Sequence, residues 1–151
     1  MEREQEGKKR LLLVINPCAG MRRVNRYLSD IVSIFMAAGY ETLVCMTEKR
    51  GDGTAFVCRH ARESDEIVAA GGDGTFNEVV TGIQLTGYQN PVGYIPCGST
   101  NDFANSLKLP KNIRNAAHMA VEGEARFVDV GQFGERYFSY VASFGAFTKA
   151  S

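Results

Sequence analysis

The chain has 151 residues, of which 44% are hydrophobic and 23% charged, enough length and apolar content for one domain with its own core. Seventeen Lys and Arg balance seventeen Asp and Glu, so the formal net charge is zero. That balance gives no basic surface for sequence-independent nucleic-acid binding, and nucleic acid is not an expected partner.

Met1 to Arg10 is polar and charged, so residues 1–9 read as a tail leading into the apolar run Leu11–Ile15. That run is too short for a signal-peptide core or a membrane span. It has the length and continuity of a parallel strand buried on both faces. Asn16-Pro17-Cys18-Ala19-Gly20 breaks it with turn residues. From Val24 the apolar positions Tyr27, Leu28, Ile31, Ile34, Phe35 and Ala38 recur at helical spacing, and Gly39 stands where a C-cap glycine belongs. A second strand is predicted at Thr42–Met46 and a short helix at Thr54–Arg62. A third strand, Glu66–Ala70, runs into the cluster Gly71-Gly72-Asp73-Gly74-Thr75. Phe76, Val79, Val80 and Ile83 then repeat at helical spacing, which starts a helix near Thr75. A fourth strand, Pro91–Ile95, ends at Pro96-Cys97-Gly98-Ser99-Thr100-Asn101-Asp102, and a further helix is predicted at Ile113–Glu122. Arg126–Val130 and Tyr137–Ser143 read as two strands joined by a turn at Gly131–Gly134. Strands alternating with helices imply right-handed βαβ units and a three-layer αβα domain on a parallel sheet.

Topology sends the segments after the first four strands to one edge of that sheet, the carboxyl edge, where ligands of open parallel sheets bind. They are Asn16–Gly20, Thr47, Gly71–Thr75 and Gly98–Asp102. Paired glycines after a strand let a ligand approach the backbone closely. A helix starting beside them presents unpaired N–H groups and a positive dipole end, which suits phosphate. Asp73 can hold Mg²⁺ or orient phosphates, while Asn77 and Glu78 can order the loop or a metal-bound water. The plainer alternatives are a simple turn, Thr75 as an N-cap and Glu78 as a solvated helix charge. No G-x-x-x-x-G-K-[ST] sequence occurs, and a third dinucleotide-fingerprint glycine would fall at Asn77. Phosphate charge must therefore be neutralised by backbone N–H groups, Mg²⁺ or a cation from elsewhere in the chain.

The four cysteines, Cys18, Cys45, Cys58 and Cys97, have no C-x-x-C spacing, and His60 and His118 do not complete a zinc pattern. They read as free packing thiols. Together with the absence of an export signal, they point to the cytoplasm.

Taken together, Asn16-Pro17-x-Ala19-Gly20, Thr47 followed by Gly51-Asp52, Gly71–Glu78 and Ile95-Pro96-x-Gly98-Ser99-Thr100-Asn101-Asp102-Phe103-Ala104 resemble the diacylglycerol kinase catalytic domain family, which includes bacterial lipid kinases and sphingosine kinases. Asp129-Val130-Gly131 and Tyr137-Phe138 resemble the family's later strand pair, so the likeness runs over about residues 10–145. The glycine cluster alone is shared with NAD kinases and, in a close variant, phosphofructokinases; its combination with the loops at Asn16 and Gly98 points to the lipid-kinase branch. The resemblance implies a phosphofructokinase- or NAD-kinase-like domain at 10–145 that binds ATP with Mg²⁺. Nucleotide contacts carried over by position are Asn16, Pro17, Cys18, Ala19, Gly20, Thr47, Gly71, Gly72, Asp73, Gly74, Thr75, Phe76, Asn77, Glu78 and Ser99, with Asp73 also organising phosphates and metal. It further implies a second, β-rich domain carrying the lipid site, Mg²⁺ ligands and the general base, with residues 146–151 as its truncated entry. Phosphoryl transfer to a lipid hydroxyl, peripheral contact at the inner membrane face and self-association are expectations for the whole protein. An NAD-kinase-like enzyme and a non-catalytic nucleotide-binding module are the alternatives.

Overall fold

The computed structural model describes residues 7–123, and the backbone of 125–133 and 136–143. Six strands form one sheet: β1 Lys9–Ile15, β2 Tyr40–Met46, β3 Glu66–Gly71, β4 Val92–Pro96, β5 Ala125–Phe133 and β6 Arg136–Ser143, in spatial order β2-β1-β3-β4-β6-β5. The first four are mutually parallel, with Leu13 beside both Val44 and Val68, and Ala69 beside Tyr94. β6 joins β4 in parallel at Val92–Ala142 and pairs with β5 antiparallel.

The helices are α1 Arg23–Ala37, α2 Asp52–His60, α3 Asp73–Thr86, α4 Asp102–Ser106 and α5 Ile113–Glu122. The period-2 geometry of a strand divides β1 between two cores. Leu11, Leu13 and Ile15 pack with Val24, Ile31 and Phe35 of α1 and with Ala116, Ala117 and Ala120 of α5. Leu12 and Val14 pack with Val57 of α2 and with Phe76, Val79 and Val80 of α3. A strand buried on both faces reads as an unbroken apolar run because each side chain meets a helix layer. This three-layer αβα arrangement is the one the alternating elements predict.

Several boundaries differ from the sequence reading. β1 begins at Lys9, so the polar tail stops one residue sooner. The helix placed at Thr54 starts at Asp52, whose carboxylate accepts the Glu48 and Lys49 backbone N–H groups at 2.7 and 2.9 Å and thereby closes the preceding loop. The helix placed near Thr75 starts at Asp73, leaving Thr75 buried in its first turn instead of capping it; Gly72 is the N-cap. The turn expected at Gly131–Gly134 is displaced, because β5 continues through Phe133 and absorbs Gly131 at a register shift. Ile113–Glu122 is helical as predicted, opened by Asn112, whose side chain accepts the Asn115 N–H at 3.0 Å. Residues 146–151 lie outside the described residues.

Candidate functional site

Four loops meet at the carboxyl edge, and three of them start from a backbone bond that continues the sheet ladder. Asn16 N–H donates to Ala70 O at 3.0 Å, Thr47 N–H to Ile15 O at 2.8 Å and Cys97 N–H to Gly71 O at 2.8 Å. The expected convergence of Asn16–Gly20, Thr47, Gly71–Thr75 and Gly98–Asp102 is therefore set by the register of the strands.

After β1, Asn16 Oδ1 accepts the Cys18 N–H at 3.0 Å, closing a tight side-chain turn over Pro17. Ala19, buried, opens a 3₁₀ turn, in which Gly20, Met21 and Arg22 take successive left-handed conformations with φ of 53°, 58° and 66°. Such a run is costly for residues with a Cβ, about 1 kcal/mol or more each. At Gly20 a Cβ would lie 2.0 Å from the carbonyl oxygen of Cys97, so only glycine lets this loop rest on the loop after β4.

After β3, Asp73 occupies the first position of α3, where the helix dipole favours an anion. Tyr94 Oη donates to its Oδ1 at 2.7 Å, and the Phe103 N–H donates to its Oδ2 at 3.1 Å. The carboxylate thus joins α3 to β4 and to the start of α4. Beneath it the Phe76 ring stacks between Tyr94 and Phe103, with centroid separations of 4.5 and 5.0 Å. Phe76 is fully buried, so its side chain serves the core under the loop. Glu78 Oε1 accepts the Gly53 N–H at 2.8 Å and its carbonyl accepts the Thr54 hydroxyl at 2.8 Å, tying α3 to α2.

After β4, Asn101 is left-handed and bonds Gly98 twice, accepting from its N–H at 2.9 Å and donating to its carbonyl at 2.8 Å. Gly98 lies against Gly72: a Cβ on Gly98 would meet Gly72 Cα at 2.6 Å. The two glycine loops are in backbone contact, which no other residue at position 98 permits without a shift.

Around this contact lie two recesses. The first, about 300 Å³, is lined by Asn16, Cys18, Thr47, Gly74, Thr75 and Glu78 with Glu48, Lys49 and Arg50. It gathers expected nucleotide-contacting residues from three loops. The second, about 270 Å³, contains Ser99, placed by the resemblance with the first group, alongside Arg23, Thr100, Asn101 and Lys111. Arg23 and Lys111 carried no motif signal; only the fold brings them to this edge. A larger concavity of about 650 Å³ lies near the amino ends of β1 and β2, lined by Arg10, Tyr40, Thr42 and His60 among others. It contains none of the expected site residues and lies at the wrong end of a parallel sheet for ligand binding.

Of the two cysteines in these loops, Cys97 is inert by environment. Burial pushes the Cys97 thiol up to about 12 against the opposing influence of the Arg23 charge, so no thiolate is available there. Cys18 is exposed at the mouth of the first recess. For a metal, no three His, Cys, Asp or Glu side chains gather among the described residues. Asp73 is the one carboxylate in the Gly71–Thr75 turn, and its two oxygens retain lone pairs after the bonds to Tyr94 and Phe103. That donor set fits Mg²⁺ held chiefly by substrate phosphates and water, and does not fit an all-protein cage.

The likeness to known proteins agrees with this architecture. The family profile of the diacylglycerol kinase catalytic domain matches residues 10–133. A protein named diacylglycerol kinase from Staphylococcus aureus (strain MRSA252) is 40% identical over 145 residues, covering 95% of this chain and 46% of the relative. One of the same name from Staphylococcus saprophyticus is 39% identical over 145 residues, covering 95% of this chain and 48% of the relative. The chain thus spans about half the length of these relatives. A crystal structure of a diacylglycerol kinase from Bacillus anthracis str. Sterne superposes with a TM-score of 0.73 at 32% identity, covering 80% of this chain and 44% of that one. By sequence and by fold, the chain belongs to the diacylglycerol kinase catalytic domain family.

Proposed function

We propose that this chain is the nucleotide-binding half of a lipid kinase that transfers the γ-phosphoryl group of ATP to the hydroxyl of diacylglycerol or a similar lipid. The observation that carries the reading is the first recess, where Asn16, Thr47, Gly74 and Thr75 from three separate loops line one concavity beside the start of α3. The family and the names of its relatives support the reaction type.

In this reading Asn16–Gly20, Thr47 and Gly71–Asn77 contact the nucleotide, and the first-turn N–H groups of α3 face its phosphates. Asp73 would be the protein carboxylate for Mg²⁺, which, when bound with the nucleotide, would offset phosphate charge. Asp73 also acts through shape: its bonds to Tyr94 and Phe103 fix the glycine loop before substrate arrives, the preorganisation on which phosphoryl transfer depends. In this reading the general base and the lipid site lie in a further, β-rich domain, and residues 1–151 by themselves bind nucleotide weakly or not at all and transfer nothing. Among the described residues no helix is long and apolar enough to cross a membrane. The whole protein would meet its lipid by peripheral contact at the inner membrane face.

The test compares residues 1–151 with a chimera that adds the remainder of a staphylococcal relative, offering diacylglycerol, sphingoid base and NAD in parallel. Phosphatidate formation by the chimera alone is the expected result. NADP formation would replace the reading by the NAD-kinase alternative, and lack of any transfer would favour a non-catalytic module. In the active chimera, Asp73→Asn should lower kcat by roughly 100-fold or more if it stabilises developing phosphoryl charge; near-normal activity would remove Asp73 from the mechanism.

A further inference from the structure

Asp52 and Asp65 make the same kind of bond at opposite ends of the sheet. Asp65, just ahead of β3, accepts the Arg10 N–H at 2.7 Å at the amino edge. Asp52 opens α2 at the carboxyl edge, next to the segment Thr47-Glu48-Lys49-Arg50. That segment supplies four of the nine residues lining the first recess.

Thr47 is anchored to the sheet by its N–H bond to Ile15 O. The chain then reverses into α2, with Gly51 left-handed at φ 93°. The reversal closes on one carboxylate. Asp52 Oδ2 accepts the N–H groups of Glu48 at 2.7 Å and Lys49 at 2.9 Å, and Oδ1 lies 3.4 Å from Lys49 Nζ. The Asp52 N–H in turn donates to Lys49 O at 3.2 Å. A side chain that reaches back three and four residues gives the stretch a shape that its backbone alone would not hold. The bonds from the Glu48 and Lys49 N–H groups, helped by the Lys49 charge, hold the Asp52 carboxyl below its ordinary value. It is therefore an ionised acceptor throughout the neutral range.

The next residue ties the same turn to α3. Gly53 N–H donates to Glu78 Oε1 at 2.8 Å, and Thr54 Oγ1 donates to the Glu78 carbonyl at 2.8 Å. The loop after β2 is thus braced on the sheet through Thr47 and on α3 through Gly53, and Asp52 joins the two braces. Asp52 is outside the lining of the recess. Its influence on a ligand there passes through the backbone of residues 47–50.

We propose that Asp52 is a positioning residue of the nucleotide site, holding Thr47–Arg50 where they meet ATP without touching it. The proposal rests on the nucleotide reading of the first recess and adds to it a residue that no ligand contact would reveal. Removing the carboxylate leaves every lining side chain in place but frees the segment that carries four of them. The loss falls on ATP affinity, because the reacting phosphates belong at the glycine turn, which Asp52 does not hold.

The experiment compares Asp52→Ala, Asp52→Asn and the matched control Asp65→Ala in two measurements. In the full ¹⁵N-labelled chain without nucleotide, Asp52→Ala should quicken amide exchange at Glu48 and Lys49 roughly tenfold or more. Asp52→Asn, which keeps an acceptor oxygen, should quicken it less, and Asp65→Ala should leave it unchanged. In the active chimera, Asp52→Ala should raise KM for ATP about tenfold with kcat within about twofold of the parent. Asp52→Asn should recover most of that loss, and Asp65→Ala should match the parent. Equal KM shifts in Asp52→Ala and Asp65→Ala would mark a general loss of stability and overturn the proposal. Faster exchange with KM unchanged would show that the nucleotide does not sense the loop, and would overturn it too. A chimera with Asp52 intact that transfers phosphate to no acceptor fails the kinase reading before any variant is made, and this proposal with it.

Discussion

The two ends of the central sheet handle polar groups in opposite ways. At the carboxyl end several polar side chains near the loops are engaged in shaping backbone: Asn16 closes its turn, Asp52 holds two N–H groups, Asp73 joins three elements and Asn101 clasps Gly98. At the amino end, Glu66 opens β3 with only 4% of its surface exposed, and its Oε2 has no hydrogen-bond partner. Thr42 Oγ1 and Asn90 Oδ1 are likewise buried without one, although the Asn90 amide donates to Ala61 O and Ser64 O. Burial pushes the Glu66 carboxyl up to about 8, against the pull of the Lys9 charge. The contrast teaches where this domain is tuned: the loop-bearing carboxyl end uses polar groups to fix loop geometry, and the opposite end tolerates a buried carboxyl with an unpartnered oxygen.

Three substitutions would break or sharpen that contrast. The largest effect belongs to Gly20→Ala, which combines a left-handed φ with a Cβ 2.0 Å from the Cys97 carbonyl oxygen. A loss of roughly 3 kcal/mol in urea unfolding is expected; a loss below about 1 kcal/mol would show that the left-handed loop is free to reorganise. Next comes Glu66→Gln. A folded carboxyl titrating at about 8, against 4.5 when unfolded, means the folded state holds its proton across that interval while the unfolded state has released it. Stability is then greatest below pH 4.5 as far as this group is concerned, and falls as pH rises to about 8, with a slope of up to about 1.4 kcal/mol per pH unit. Glu66→Gln should remove the slope and be more stable than the parent at pH 6 by roughly 2 kcal/mol. Parallel pH–stability curves for parent and variant would mean Glu66 finds a partner or water. The smallest effect is expected for Tyr94→Phe, which keeps the aromatic stack and deletes the bond to Asp73. It should cost about 1.5 kcal/mol and loosen the glycine loop, seen as faster exchange of the Phe103 amide; an unchanged exchange rate would assign loop rigidity to packing alone.

Most of the scaffold was legible because periodicity and topology act over long stretches. The run Leu11–Ile15 announced a doubly buried strand, and the spacing from Val24 to Ala38 announced a helix ending before Gly39, which is left-handed at φ 95°. The convergence of the loops followed from parallel pairing alone. What stayed hidden depends on contacts between distant segments. α4 has five residues, too few to show a period, and its start is fixed by the Phe103 N–H bond to Asp73, thirty positions away. Met21, Arg22, Asn101 and Lys108 adopt positive φ without being glycine, so their types gave no warning. Arg23 and Lys111 meet only through the packing of α1 and α5, and Glu66, a charged residue at a strand start, offered no hint of its burial.

The ladder bonds at Asn16, Thr47 and Cys97 have one more consequence. Because each loop's first donor belongs to the sheet's own lattice of bonds, the loops are not tethered at arbitrary heights but cantilevered from a common plane. A ligand spanning the Gly72–Gly98 contact would press on three supports that can yield only if the sheet itself bends. Under the proposed function, the edge acts as the anvil and closure around substrate comes from what faces it.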